Sequence, residues 1–122
     1  LPGLEQTYGT FKFKSKNTFD NSLKYQAMAN DEVDCVPAYT TDAQLSSDEF
    51  VLLDDDKHFW PPYNIIPVVR QELIDAHPDV AEIINKISAA IDTETMTKLN
   101  AQVDIDKEEY EDVAADFYAT LK

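Results

Sequence analysis

The sequence is poor in residues that several common kinds of site require. Its 122 residues include one cysteine and two glycines. A single cysteine cannot form an internal disulfide bond, and two glycines cannot build a glycine-rich loop that holds phosphate groups. No apolar run approaches the length that spans a bilayer. The composition therefore excludes a disulfide scaffold and gives no sign of a phosphate loop or of a membrane-spanning helix.

Basic residues are scarce as well. Ten lysines and arginines stand against 24 acidic residues, which gives a formal net charge of −14. Nucleic acids are bound through basic faces that neutralise phosphates, so we expect no nucleic-acid partner. An anionic membrane surface would also repel this chain.

No pattern typical of a catalytic site is present. Cys35 would need a positioned base to act as a nucleophile, and His58 and His77 both lie far from it in the sequence. Because Cys35 lies in the apolar stretch 33–38, we expect it to be a small buried side chain. The sequence predicts no catalytic residue and no enzyme.

The acidic run Asp54, Asp55 and Asp56 is the one candidate for a metal site. Consecutive side chains point in different directions, whereas calcium loops place their ligands at alternate positions around a glycine. A solvated loop is therefore the better interpretation, and no metal site and no cofactor are predicted.

The first half of the chain alternates between strand-like and helix-like patterns. Phe11 and Phe13 alternate with lysines, which is typical of a short strand with one buried face. The continuous apolar run 50–53 is typical of a strand covered on both faces. Pro37 and Pro67 lie in two further strand-like runs and favour edge positions. The predicted strands are residues 11–13, 33–39, 50–53 and 65–69, with a helix at about 20–30 after the first strand.

From Gln71 onward the pattern is helical. An apolar stripe at i, i+3 and i+4 spacing predicts a helix with one core-facing side. The stripe consists of Val80, Ile83, Ile84, Ile87 and Ile91. Pro78 stands where a first helical residue is tolerated, Asp92 is predicted to cap a second helix, and Asp106 with Glu109 resembles a capping box for a third. Strand and helix alternation followed by helices predicts an α/β protein with a largely parallel sheet.

Three segments, taken in order, resemble one family. Residues 33–42 read VDCVPAYTTD, residues 52–63 read LLDDDKHFWPPY and residues 64–70 read NIIPVVR. Together they are similar to the C-terminal portion of the substrate-binding proteins of osmoprotectant ABC importers, which take up glycine betaine, choline or carnitine. The resemblance implies part of a two-lobe, type II periplasmic-binding-protein-like fold. Residues 1–54 would be the second half of the inner lobe, 55–62 a hinge, and 63–122 a mainly helical return into the outer lobe.

The resemblance also implies a binding site. A quaternary ammonium has no N–H to donate, so electron-rich aromatic faces suit it better than hydrogen-bond acceptors. Family members use a cage of tyrosines, and the matching positions are Tyr39 and Tyr63. A lone tyrosine at a strand end is more often a packing residue, and Trp60 is interpreted as hinge packing. This chain would hold about half of the site.

The same resemblance sets the expected partners and location. They are a quaternary ammonium ligand and ABC permease subunits, outside the cytoplasm. The full-length parent would be held at the outer face of the cytoplasmic membrane, either as a lipoprotein or as part of a permease fusion. As a piece of a two-lobe protein, the chain would expose apolar strands and form a homo-oligomer. Two alternatives stay open: a sensory or regulatory module that binds a small amine, and a proteolysis-resistant piece that binds nothing.

Overall fold

The computed structural model describes residues 2–122, and the regular elements in this range are all helical. Six are α-helices and one is a short 3-10 helix. In chain order they are α1 (Pro2–Tyr8), α2 (Lys24–Ala29), the 3-10 helix (Ala43–Ser46), α3 (Gln71–Ala76), α4 (Asp79–Ala89), α5 (Thr93–Asp104) and α6 (Tyr110–Ala119).

The chain forms two compact units, each assembled from two segments. The first unit consists of Leu1–Pro37 and Leu52–Asn64 and contains α1 and α2. The second unit consists of Ala38–Val51 and Ile65–Lys122 and contains the 3-10 helix and the four C-terminal helices.

The predicted parallel sheet is not confirmed, because residues 11–13, 33–39, 50–53 and 65–69 form no strand in the structure. A strand exists only where a second extended segment lies beside it and completes its hydrogen bonds. No such ladder forms within residues 2–122. The expected double-sided cover of 50–53 is also wrong, since Val51 and Leu53 are each 83% exposed. Cys35 is exposed rather than buried, for the same lack of a covering layer.

The helices predicted from Gln71 onward form, but the predicted core-facing stripe of α4 is only partly covered, since no residue of α4 is fully buried and Ile83 is 50% exposed. The helix expected at about 20–30 is the shorter α2, which buries Tyr25 and Ala27. Asp92 caps α5 as predicted, because its Oδ1 accepts a hydrogen bond from the N–H of Thr95 at 2.8 Å. The capping box at Asp106 is wrong, since α6 begins after Glu109 without a side-chain cap.

Asp106 does not cap α6 because it takes part in the end of α5. The backbone N–H of Ile105 and that of Asp106 both donate to the carbonyl of Ala101. Lys107 then takes a positive φ of 63°. Asp106 therefore belongs to the termination of α5, which follows the left-handed pattern common at helix C-termini, and is not available to start α6.

In the second unit the 3-10 helix packs on α5. Ala43 is 1% exposed there. Two α5 side chains hold the segment just before it: Thr97 Oγ1 donates to the carbonyl of Thr40 at 3.2 Å, and Asn100 Nδ2 donates to the carbonyl of Thr41 at 2.7 Å. An apolar cavity of about 490 Å³ lies between α4, α5 and α6, lined among others by Ile87, Met96, Val103, Val113 and Phe117. The second unit is thus built around α5.

We expect Asn100→Ala to lower the free energy of unfolding by about 1 kcal/mol, because the Thr41 carbonyl loses its side-chain donor. Asn85→Ala is the matched control: Asn85 is an exposed residue of α4, and alanine raises helix propensity equally in both variants. Urea unfolding followed by far-ultraviolet circular dichroism measures the difference. Equal unfolding midpoints for the two variants would contradict the anchoring role of Asn100.

Candidate ligand-binding site

Tyr39 lies in the second unit, at the start of a tight turn. Its backbone N–H donates to Asp42 Oδ2 at 3.1 Å, and the backbone N–H of Asp42 donates back to the carbonyl of Tyr39 at 3.0 Å. This reciprocal pair closes the turn and leads into the 3-10 helix, where the N–H of Leu45 donates to the carbonyl of Asp42. Asp42 therefore orients the Tyr39 turn through a local bond from its side chain to the backbone.

Thr40 and Thr41 hold this turn through their backbone. Their backbone carbonyls, rather than their side chains, accept the hydrogen bonds from Thr97 and Asn100 of α5. The Tyr39 side chain is 58% exposed. A rigid turn therefore carries an aromatic ring that solvent can reach.

Tyr63 belongs to the first unit, whereas Tyr39 belongs to the second. It follows Pro61-Pro62 in an irregular stretch, and its side chain is 89% exposed. Residues 54–62 contain no helix or strand, and a turn occupies 56–57. The hinge role of this segment stays a prediction.

Asp55 organises the segment that leads to Tyr63. Its Oδ1 accepts a hydrogen bond from the backbone N–H of Phe59 at 3.0 Å and another from the hydroxyl of Tyr8. Its Oδ2 accepts from the backbone N–H of Trp60 at 2.8 Å, and its carbonyl accepts from the N–H of His58 at 3.0 Å. The interpretation of the acidic run as a solvated loop is therefore wrong for Asp55, whose carboxylate is half-buried and bonded on both oxygens.

Tyr8 connects this loop to α1. Its hydroxyl donates to Asp55 and accepts from the backbone N–H of Lys57 at 3.0 Å. The ammonium of Lys57 lies 5.1 Å from the centre of the Tyr8 ring and donates to the carbonyl of Thr7 at 2.9 Å. Sequence reasoning missed this pairing, because no local pattern links residues 47 positions apart.

These contacts set the ionisation of both side chains. The hydrogen bond from Tyr8, followed by those from the N–H groups of Trp60 and Phe59, holds the pKa of the Asp55 carboxyl below its ordinary value. Loss of hydration, together with the hydrogen bond to Asp55, raises the pKa of the Tyr8 hydroxyl. At neutral pH the pair is therefore an ionised acceptor and a protonated donor.

Two aromatic residues complete the loop. Phe59 and Trp60 meet edge to face, with ring centres 4.8 Å apart and planes at 80°. The Phe59 ring also lies against α1, where a Cβ on Gly3 would come within 3.2 Å of it. Trp60 is 65% exposed. Phe59 is thus the packing residue of this pair, and Trp60 extends towards solvent.

Neither a metal centre nor a membrane span is found in the described part of the chain. Residues 2–122 bring together no group of three or more histidine, cysteine or acidic side chains that could hold a metal ion. None of the helices between Pro2 and Ala119 is long and apolar enough to cross a bilayer.

Comparison with known proteins gives one consistent match. Residues 1–120 match the family model described as the substrate binding domain of ABC-type glycine betaine transport system. The chain is 38% identical over 118 residues to a glycine-betaine-binding protein of Pseudomonas aeruginosa, covering 96% of this chain and 38% of that protein. It is 35% identical over 106 residues to the carnitine transport binding protein OpuCC of Listeria monocytogenes, covering 87% of this chain and 34% of that protein.

A third relative joins two functions in one name. The chain is 35% identical over 119 residues to the ergothioneine transport permease/ergothioneine binding protein EgtU of Helicobacter pylori, covering 98% of this chain and 21% of that protein. The chain therefore spans between about a fifth and two fifths of the length of these curated relatives.

The fluorescence of Trp60, the sole tryptophan, should report the state of Asp55. Because the folded pKa of Asp55 is lowered, its bonds stabilise the loop above about pH 4, the ordinary aspartate value, and are lost as pH falls through the lowered pKa. Because the pKa of Tyr8 is raised, its bond persists below about pH 10 and is lost as pH rises through the raised pKa. We expect constant emission between these limits and a change below about pH 4.

Asp55→Asn should abolish the acidic change in emission, and Asp54→Asn should retain it. Asp54 is an exposed neighbour in the same acidic run. An acid transition of the same size and midpoint in Asp55→Asn and in the unsubstituted chain would contradict the assignment.

Proposed function

Since the chain belongs to the family of substrate-binding domains of ABC-type glycine betaine transport systems, we propose that it binds quaternary ammonium compounds for delivery to an ABC importer. The observation that carries the proposal is the family match across residues 1–120. Domains of this family bind a transport substrate and do not transform it, so the prediction of no enzyme is confirmed.

The ligands named for the relatives favour one chemical class. They are glycine betaine, carnitine and ergothioneine. All three are betaines, in which a quaternary ammonium and a carboxylate occur in one small molecule. Their shared cationic head is the group that this chain would recognise, and choline carries the same head without the carboxylate.

Tyr39 and Tyr63 are the residues we propose for that recognition. A ring face attracts a quaternary ammonium through its quadrupole without any hydrogen bond. Both rings are accessible, with exposed fractions of 58% and 89%. The same chemistry occurs within the first unit, where the ammonium of Lys57 lies 5.1 Å from the centre of the Tyr8 ring. The remaining cage members and the groups that bind a carboxylate would come from the part of the relatives' length that this chain does not span.

The lobe assignment belongs to the same proposal. We assign residues 1–54 to the inner lobe, 55–62 to the hinge and 63–122 to the outer lobe. The two compact units divide the chain at other points. The units follow from contacts within this chain, whereas the lobes are those of the longer two-lobe protein. The proposed location is outside the cytoplasm, with the longer protein anchored at the membrane, as a lipoprotein or as part of a permease fusion, and in contact with ABC permease subunits.

Isothermal titration calorimetry of the longer protein with choline, glycine betaine, carnitine and ergothioneine tests the proposal. We expect Tyr39→Ala and Tyr63→Ala each to weaken binding by about 1–2 kcal/mol, because each removes a cation–π contact. The corresponding phenylalanine variants should lose less, since the ring face remains. Tyr110→Ala is the matched control, because Tyr110 is an exposed residue of α6.

Unchanged affinity in both alanine variants would show that the tyrosine assignment is wrong. Absence of binding for all four compounds would favour a piece that binds nothing. Binding of a small amine without transport would favour a sensory or regulatory module.

We also propose that the 122-residue chain associates with itself. Four aliphatic side chains are more than 80% exposed. They are Val51, Leu53, Ile65 and Val68. Their burial would stabilise an assembly by roughly 25 cal/mol for each Å² of apolar surface covered. The net charge of −14 opposes association, but salt screens most of that repulsion.

Light scattering at micromolar concentration should therefore give a mass above that of a monomer. The double variant Ile65→Glu with Val68→Glu should shift the mass towards the monomer, and Ala115→Glu, at an exposed position of α6, should not. A monomer mass for the unsubstituted chain would overturn this expectation.

A further inference from the structure

We infer that Asp55 and Tyr8 are positioning residues for Tyr63, an inference that rests on the proposed function of Tyr63 as a ligand contact. Neither side chain is offered as a ligand contact itself. The inference depends on three features: the convergence of donors on Asp55, the stiffness of the residues between Trp60 and Tyr63, and the attachment of the loop to α1.

The first feature is the convergence of donors on one carboxylate. Oδ1 of Asp55 accepts from the Tyr8 hydroxyl and from the N–H of Phe59, while Oδ2 accepts from the N–H of Trp60. An ionised carboxylate can accept on both oxygens, whereas an asparagine amide has a single accepting oxygen. Aspartate is therefore the residue that can hold both N–H groups and the hydroxyl together. This fixes the backbone at Phe59 and Trp60.

The second feature is the stiffness of the connection to Tyr63. Pro61 and Pro62 are each restricted to φ near −65°, and the following proline biases Trp60 towards extended backbone. A short proline segment advances about 3.1 Å per residue and resists bending. The position set at Trp60 is therefore transmitted to the Tyr63 backbone. The Tyr63 side chain, which is 89% exposed, is carried on that backbone.

The third feature is α1, which contacts the loop near both of its ends. At its start, Gly3 lies against the Phe59 ring. At its end, Tyr8 bonds to Asp55 and to the N–H of Lys57, while the carbonyl of Thr7 accepts from the Lys57 ammonium. Lys57 occupies the neighbourhood of the Tyr8 ring, so Tyr8 serves the loop and not an external cation.

A double-mutant cycle in the longer protein tests the inference. We expect Asp55→Asn to weaken choline binding by about threefold to tenfold, the size of coupling found between residues of one network. In a Tyr63→Ala background the same substitution should change affinity less than about twofold, because the ring that it positions is gone. Asp54→Asn is the control and should leave affinity unchanged. Additive effects of the two substitutions would overturn the positioning role.

Tyr8→Phe provides a second variant that keeps both backbone bonds of Asp55 and removes only the hydroxyl. It should show the same non-additivity with Tyr63→Ala and should shift the Trp60 emission of the 122-residue chain in the direction seen for Asp55→Asn. Unchanged Trp60 emission in both variants would overturn the inference without any ligand measurement. If the unsubstituted longer protein binds none of the quaternary ammonium compounds, the proposed function fails as well, and this outcome is distinct from binding with additive effects.

Discussion

Residues 2–122 must pair their backbone N–H and carbonyl groups without a β-sheet, and the rest of the structure depends on how they do so. Every N–H and carbonyl that leaves water needs a partner, and outside the helices no strand ladder supplies one within residues 2–122. Side chains take over that role. In the first unit Asp55 binds the N–H groups of Phe59 and Trp60. In the second unit Asp42 binds the N–H of Tyr39, and Asn100 binds the carbonyl of Thr41.

The backbone around both candidate tyrosines is held by such side-chain hydrogen bonds rather than by a strand ladder. Tyr39 stands in a turn closed by a carboxylate and held from outside by α5. Tyr63 stands at the end of a proline segment that begins at a carboxylate-bound loop. In each case the aromatic ring is exposed, and hydrogen bonds hold the backbone of the turn that contains it or of the loop that precedes it. This combination suits a ligand contact, since binding then orders few additional backbone degrees of freedom.

The parts of this fold that sequence could predict are those governed by local rules. The stripe of α4 and the Asp92 cap of α5 depend on residues within one or two turns of each other, and Asp42 bonds within its own turn. The strands could not be judged in the same way, because a run such as 65–69 becomes a strand only beside a partner segment. The bond between Tyr8 and Asp55 joins positions 47 residues apart, so only the structure could show it. The family, by contrast, was readable from the order of three segments, which agrees with the match over residues 1–120.

The scarcity of glycine has a consequence for how this chain can diverge. Asp31, His58 and Lys107 adopt φ values of 58°, 51° and 63°, in the left-handed region where a side chain is disfavoured. The chain thus places ordinary residues at three positions where glycine would be accommodated most easily. In related sequences these positions should admit glycine and asparagine, and should exclude valine and isoleucine, whose branched Cβ clashes most in this backbone region. His58 belongs to the Asp55 turn and Lys107 to the end of α5. Glycine or asparagine at the corresponding positions would therefore identify this turn and this helix end in distantly related sequences.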